Sequence, residues 1–373
     1  MVHIKLLLSW QYYTLFRCKS TTLISFKQYT FVSTLKAIKM IQSNSKMKAM
    51  VLEQFSRPLV LKTIDKPIPG KGQVLVKVLY SGVNPLDLKI KEGSAAHAEA
   101  KLPLILGIDM AGTVEDVGED VSNFKRFDEV FGMVGGVGNN QGTLAEYIIV
   151  DATHIAKKPK NISMKEAATI PLVFITAWEG LVDRANVREG QKVLIHGGAG
   201  GVGHMAAQIA LAFGAKVFAT ESGKGLDYLQ KLGITAIDFT TSTPEEYMQK
   251  HTNGQGFDIV FDTVGGAILD ASFKSVKNYT GHVVSSLGWG THSIAPLSFK
   301  GATYSGVFTL LPLLTGQGKA HHGAILKKAT DLIESGKLMP FVSEHNFNLS
   351  QVNEAYKAIE ERKTNGKVAI AIN

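Results

Sequence analysis

Three glycines carry the sharpest chemical signal in the chain. Val193-Leu-Ile-His-Gly-Gly-Ala-Gly-Gly-Val-Gly203 contains G-x-G-x-x-G as Gly198, Gly200 and Gly203. Alone the pattern is weak. Here it closes an apolar run and opens a segment whose apolar residues Val202, Met205, Ala206, Ile209, Ala210 and Phe213 share one helical face. In a strand–turn–helix setting, such glycines let the backbone approach a diphosphate. The helix N-terminus then supplies N–H donors and partial positive charge. Gly198, Ala199, Gly200, Gly201, Val202 and Gly203 are the predicted cradle. The next strand end, Thr220-Glu221-Ser222-Gly223-Lys224, should choose the dinucleotide. Glu221 stands where an acid holds the ribose 2′-hydroxyl of NAD, whereas Ser222 and Lys224 suit the 2′-phosphate of NADP. These residues alone leave that choice open.

The elements that must position this turn follow from periodicity. Lys192–His196, Lys216–Thr220, Phe257–Phe261, His282–Ser285 and Thr303–Phe308 read as strands. Val202–Phe213, Gly225–Leu232, Ala267–Val276 and His321–Ser335 read as helices. Ser163 with Glu166 is a capping box before them. Strands alternating with helices predict a parallel, doubly wound α/β sheet. In such a sheet, ligands sit beyond the strands' carboxyl ends. Ser286-Leu287-Gly288-Trp289 follows one of those ends, so the backbone of Leu287 and Gly288 should line a nicotinamide. Trp289 offers either a flat wall or ordinary packing. Residues 47–160 read instead as strands and turns, with Val74–Tyr80 the clearest strand. Glycines within Leu104–Val114 suggest bulges in a barrel-like sheet. The tail from Phe341 reads as extended.

The 373 residues exceed one compact core, so two domains are expected. The formal charge of +8 sits at the start of the chain. Without the eight Lys and Arg that precede Glu53, 32 basic residues face 32 acidic ones. A neutral body argues against a nucleic-acid partner. No apolar run reaches the roughly 18 residues of a membrane span. Residues 1–46 are acid-free and rich in Ser and Thr, which leaves two readings. They are an organelle transit peptide, implying the mitochondrial matrix, or an upstream start ahead of Met47, implying a cytoplasmic protein. The one cysteine, Cys18, excludes an internal disulfide and a Cys-rich zinc module. His321 and His322 are adjacent, point to different helix faces and read as solvated. His196 reads as packed.

With the glycine turn in place, the body from about Lys48 to Asn373 resembles the zinc-free quinone and enone oxidoreductases of the medium-chain dehydrogenase/reductase superfamily. The resemblance rests on Ser81-Gly-Val-Asn-Pro-Leu-Asp-Leu-Lys-Ile90, Gly107-Ile-Asp-Met-Ala-Gly-Thr-Val114, Thr176-Ala-Trp-Glu-Gly-Leu181, the glycine turn and Phe261-Asp-Thr-Val-Gly-Gly266. It implies a GroES-like β domain over 47–165 and 336–373, a Rossmann domain over 166–335, and a homodimer. The zinc alcohol dehydrogenases of that superfamily carry Gly-His-Glu where this chain has Gly107-Ile108-Asp109, so no such zinc site is expected. Asn84-Pro-Leu-Asp-Leu-Lys89 resembles the enone branch. The implied chemistry is NADPH-dependent reduction of quinones or α,β-unsaturated carbonyls, with NAD also possible as coenzyme. The alternatives are a dinucleotide-binding protein without catalysis, or an alcohol dehydrogenase with another metal set. Asn84 and Thr176 resemble residues beside the nicotinamide, although turn and helix chemistry also explain them. Hydride reduction places negative charge on the acceptor's oxygen, and Lys89 is the candidate donor to it, or else a surface lysine. Asp87 reads as a structural acceptor, and Leu310–Leu314 as a substrate lid or subunit contact.

Overall fold

The structure, a computed structural model, describes residues 45–372. The leader reading falls outside them, except that Lys46 already begins the first strand. The first part of the chain builds β1 (Lys46–Leu52), β2 (Val60–Asp65), β3 (Gln73–Gly82), β4 (Leu104–Ile105), β5 (Asp109–Val117), β6 (Glu129–Met133), β7 (Tyr147–Asp151) and β8 (Ala156–Lys157). β1 lies between β2 and β4 in a small antiparallel sheet. β3 pairs with both β5 and β7. The expected bulges are present, with register shifts after Leu75 and after Val78 where β3 meets β5. Gly112 sits there because a Cβ would lie 2.2 Å from the Lys77 carbonyl oxygen.

The parallel sheet is β9 (Lys192–His196), β10 (Lys216–Glu221), β11 (Thr235–Asp238), β12 (Ile259–Asp262), β13 (His282–Ser285) and β14 (Thr303–Gly306). Its spatial order is β11-β10-β9-β12-β13-β14, parallel throughout. Two strands, β10 and β11, run outward from β9 in one direction, and the chain then crosses back to β12. The crevice at this reversal, beyond the carboxyl ends of β9 and β12, is where such sheets bind ligands. Side chains alternate across the sheet. Val193 and Ile195 join an apolar core continuous with that of the first sheets, while Leu194 joins a separate cluster with Phe218, Phe257 and Val260.

The helices hold their expected places with shifted ends. The glycine-turn helix spans Gly201–Ala212, and the others Lys224–Lys231, Ala267–Ser275 and Lys319–Glu334. Ser163 and Glu166 form their capping box. The elements not anticipated include β11 and the helix Pro244–Thr252. β11 is short, and the helix Pro244–Thr252 follows a Thr243/Glu246 capping box. The tail is not simply extended. Between β15 (Phe347–Asn348) and β16 (Ala369–Ala371) lies a helix, Val352–Glu360, because Val352, Ala355 and Tyr356 form one buried face. β16 runs antiparallel to β3, with Ala369 opposite Gly82, so the tail returns to the first sheets.

His322 is buried, contrary to expectation. Helix Lys319–Glu334 lies so close to the first sheets that a Cβ on Gly323 would come 2.0 Å from the Thr153 carbonyl oxygen. That contact buries His322, whose ring bonds Glu179 Oε1 at 3.0 Å and faces His154 Nε2 at 3.4 Å. His321, on the exposed face, meets Asp183 at 2.7 Å. A Gly323→Ala substitution should therefore cost about 1–3 kcal/mol. Thermal unfolding followed by circular dichroism should show a melting temperature lower by several degrees.

Candidate coenzyme and substrate cleft

β9 ends at His196, and the chain turns sharply through Gly197, whose φ is +72°. Gly198 packs against β10, where a Cβ would meet Ala219 Cβ at 2.5 Å. Gly203 packs against the turn itself, where a Cβ would lie 2.0 Å from the Gly197 carbonyl oxygen. These two glycines bring strand, turn and helix together. Gly200 begins the helix, which has no side-chain cap. An uncapped helix start on a glycine turn presents its first N–H groups outward, which fits an anionic diphosphate. Under the turn, His196 is buried as expected. Its Nδ1 meets Thr220 Oγ1 at 3.1 Å, and burial lowers its pKa to about 4, so the ring is neutral.

Glu221 bends back to the turn. Its carboxylate accepts the Ala199 N–H at 3.0 Å and the Ser222 N–H at 3.1 Å. Ser222 is half-buried, and Lys224 is exposed at the start of the next helix.

A cavity of ≈370 Å³ opens beside the turn. It brings together Asn84, Lys89, Thr176, Gly200, Gly201, Val202, Leu287 and Trp289 from the predicted set. Gly198, Ala199, Gly203, Glu221, Ser222, Lys224 and Gly288 do not line it. Thr176 is buried and donates to the Leu172 carbonyl oxygen at 2.7 Å, with Thr309 Oγ1 at 3.5 Å. Lys89 is exposed at the cavity's edge, so its surface and cleft readings both describe it. Leu310 lines the wall, and Asn140 Nδ2 ties the neighbouring Leu313 carbonyl oxygen to the first half at 2.8 Å.

Asn84 lines the cavity and also serves the turn, the two places the sequence offered for it. It precedes the helix Pro85–Lys91, and its N–H donates to Asp87 Oδ2 at 2.8 Å. Its Nδ2 donates to Asp109 Oδ2 at 2.9 Å, while its Oδ1 accepts from Lys367 Nζ. Lys367 also donates to the Val83 carbonyl oxygen at 2.8 Å, and it lines the cavity. Asp109 Oδ1 accepts the Leu172 N–H at 3.0 Å. Burial raises the pKa of Asp109 to about 6 and that of Asp87 to about 7. It lowers that of Lys367, against the pull of both acids. Asp87 is a structural acceptor, as expected, but its Oδ1 is buried without a partner. Sequence reasoning missed Lys367, His97 and Phe308. No spacing marks them, because each reaches the cavity through contacts distant in sequence. Among the described residues, no cluster of three His, Cys, Asp or Glu side chains is placed to hold a metal.

Comparison with known proteins agrees with this geometry. Residues 70–160 match the family described as alcohol dehydrogenase GroES-like domain, and residues 232–370 match zinc-binding dehydrogenase. The chain is 35% identical over 337 residues to the 2-methylene-furan-3-one reductase of Solanum lycopersicum, covering 87% of this chain and 79% of that protein. It belongs to the medium-chain dehydrogenase/reductase superfamily. The NADPH-dependent alkenal/one oxidoreductase of Arabidopsis thaliana is 36% identical over 335 residues, with the same coverages. A solved alcohol dehydrogenase superfamily protein from Novosphingobium aromaticivorans superposes with a TM-score of 0.86 at 54% identity, over 88% of this chain and 100% of that one. This medium-chain dehydrogenase/reductase is thus an NAD(P)H-dependent oxidoreductase with a GroES-like part and a Rossmann-like parallel sheet.

Two outcomes follow for the reductase. A Cβ on Gly200 meets nothing closer than the Gly197 carbonyl oxygen at 3.1 Å, yet it would enter the cradle. Gly200→Ala should keep stability within about 1 kcal/mol of the original, while coenzyme affinity falls at least about tenfold, read by fluorescence titration. Asp87 binds its proton more tightly folded than unfolded. Its contribution to stability is therefore full below the unfolded value near 4 and lost as pH rises through about 7. Asp87→Asn should flatten the pH dependence of the urea midpoint across that window. The change should amount to at most one proton, about 1.4 kcal/mol per pH unit.

Proposed function

We propose that this oxidoreductase reduces quinones or α,β-unsaturated carbonyls by hydride transfer from NADPH, without zinc. The observation that carries the reading is one cavity in which the glycine turn, an apolar wall and the Lys89 side chain converge. Bound NADPH would supply the hydride. The chain's own groups do the rest. The helix-start amides of Gly201, Val202 and Gly203 would hold the diphosphate, since those of Gly198, Ala199 and Gly200 are bonded within the protein, and Leu287 and Thr176 would bound the nicotinamide. Asn84 acts as a positioning residue, since both ends of its amide are held inside the protein. Lys89 stabilises negative charge on the acceptor's oxygen, directly or through a water. A quinone that gains a hydride and one proton becomes a hydroquinone. An enone gains the hydride at its β-carbon and a proton at its α-carbon. The position resembling a zinc-ligand triplet carries Asp109, whose two oxygens are bonded to Asn84 and Leu172.

NADPH is favoured by exposed Lys224 and by Ser222, while the Glu221 carboxylate opposes a 2′-phosphate. Exposed Tyr279 and Phe299 lie beside the outer strand β14, which supports a homodimer formed along that edge. No helix among the described residues is long and apolar enough to cross a membrane.

The test is the purified protein with NADPH and a panel of quinones and enones, followed by loss of reduced-nicotinamide absorbance. Coenzyme binding without turnover across the panel would overturn the reading. Lys89→Ala should lower kcat about tenfold or more while leaving coenzyme affinity nearly unchanged. The NADPH-to-NADH ratio of kcat/KM should rise in Glu221→Gln and fall about tenfold in Lys224→Ala.

A further inference from the structure

We propose that the acceptor this cleft is shaped for carries a flat conjugated ring, which packs on a wall made by Trp289, His97 and Phe308. The proposal rests on the reductase reading above and deepens it by naming the substrate class. The three side chains come from separate parts of the chain. His97 lies in a short helical turn, Ala96–Ala98, of the first half. Trp289 lies in the loop after β13, and Phe308 just after β14. All three line the cavity. The His97 and Trp289 rings stack with centroids 4.8 Å apart and planes 26° apart. Phe308 meets Trp289 at 90° and His97 at 66°, each at 6.1 Å.

Trp289 is 48% exposed even with these neighbours, so its indole is not spent on the core. Yet its loop is tied down. His292 bonds the Trp289 carbonyl oxygen at 3.0 Å and Asp270 Oδ1 at 2.8 Å. Both partners are acceptors, so the ring holds both at once as an imidazolium, and Asp270 raises its pKa accordingly. A half-exposed indole on an anchored loop is a preformed binding surface.

The chemistry of the wall selects the ligand. An indole face is electron-rich, and a quinone ring is electron-poor and flat, so stacking favours it. An open-chain enal offers no such face and gains only apolar contact. Lys89, on the helix Pro85–Lys91, lines the same cavity as His97, and its charge helps hold the His97 ring neutral. The wall therefore meets the ring's face, while Lys89 meets its carbonyl oxygen.

The experiment compares 1,4-naphthoquinone with trans-2-hexenal as acceptors, using the full chain, Trp289→Leu and Trp289→Phe. Naphthoquinone binding to the coenzyme-free protein is measured in parallel by calorimetry. In Trp289→Leu the ratio of kcat/KM for naphthoquinone over hexenal should fall about tenfold, equivalent to about 1.4 kcal/mol. Naphthoquinone affinity should fall by a similar factor, and Trp289→Phe should recover most of both. An unchanged ratio, or an equal loss for both acceptors, overturns the proposal. Should the unsubstituted protein reduce neither acceptor, the reductase reading fails and the binding arm still decides. Weaker naphthoquinone binding in Trp289→Leu then supports the ring wall, and unchanged binding refutes it.

Discussion

A lysine ammonium enclosed with two carboxylates fixes where the parts of this molecule meet. Lys367 comes from the chain's end, Asp87 from its first helix and Asp109 from β5. Asn84 joins them by donating to Asp109 and accepting from Lys367. Taking such charges out of water is costly, and removing one member of a buried set typically costs about 3–5 kcal/mol. Burial raises the pKa of both acids, which favours their neutral forms and lowers that cost. Its location matters as much as its strength. The Leu172 N–H that Asp109 accepts belongs to the helix Pro171–Trp178, which also carries Thr176 into the cleft. One polar cluster thereby sets the mutual position of the first sheets, that helix and the cavity wall.

The turn and its helix were legible because their determinants are local. β9 and β13 begin and end where the apolar runs do, and the glycine helix starts one residue earlier than its first apolar side chain suggested. The capping box at Ser163 reads directly from four residues. The helix Pro244–Thr252 carried the same signal in Thr243 and Glu246 and could have been read the same way. Lys367, His97 and Phe308 could not. Lys367 reaches the cleft only because β16 pairs with β3. His97 meets Trp289 only because the turn Ala96–Ala98 comes against the loop after β13. The burial of His322 depends on Gly323 meeting a loop of the first half. Such contacts join residues far apart in sequence, and no short-range pattern encodes them. The tail misled for the opposite reason: its two short strands look extended and mask the amphipathic helix between them.

The cleft itself reflects a division of labour. The reversal of strand order between β9 and β12 opens the crevice, and the glycines of the turn leave backbone rather than side chains facing it. Glu221 already occupies two amides there. The cavity walls are largely apolar and aromatic, a setting that limits water.

The return of β16 also bears on how the molecule is made. β16 stands between β3 and β15, inside the sheet rather than at its margin. During translation β3 (Gln73–Gly82) leaves the ribosome well before its neighbour β16 (Ala369–Ala371). At about 5–20 residues per second, the nascent chain carries an unpaired strand flank for tens of seconds. Completion of the sheet that holds β3 thus waits on a segment far along the chain.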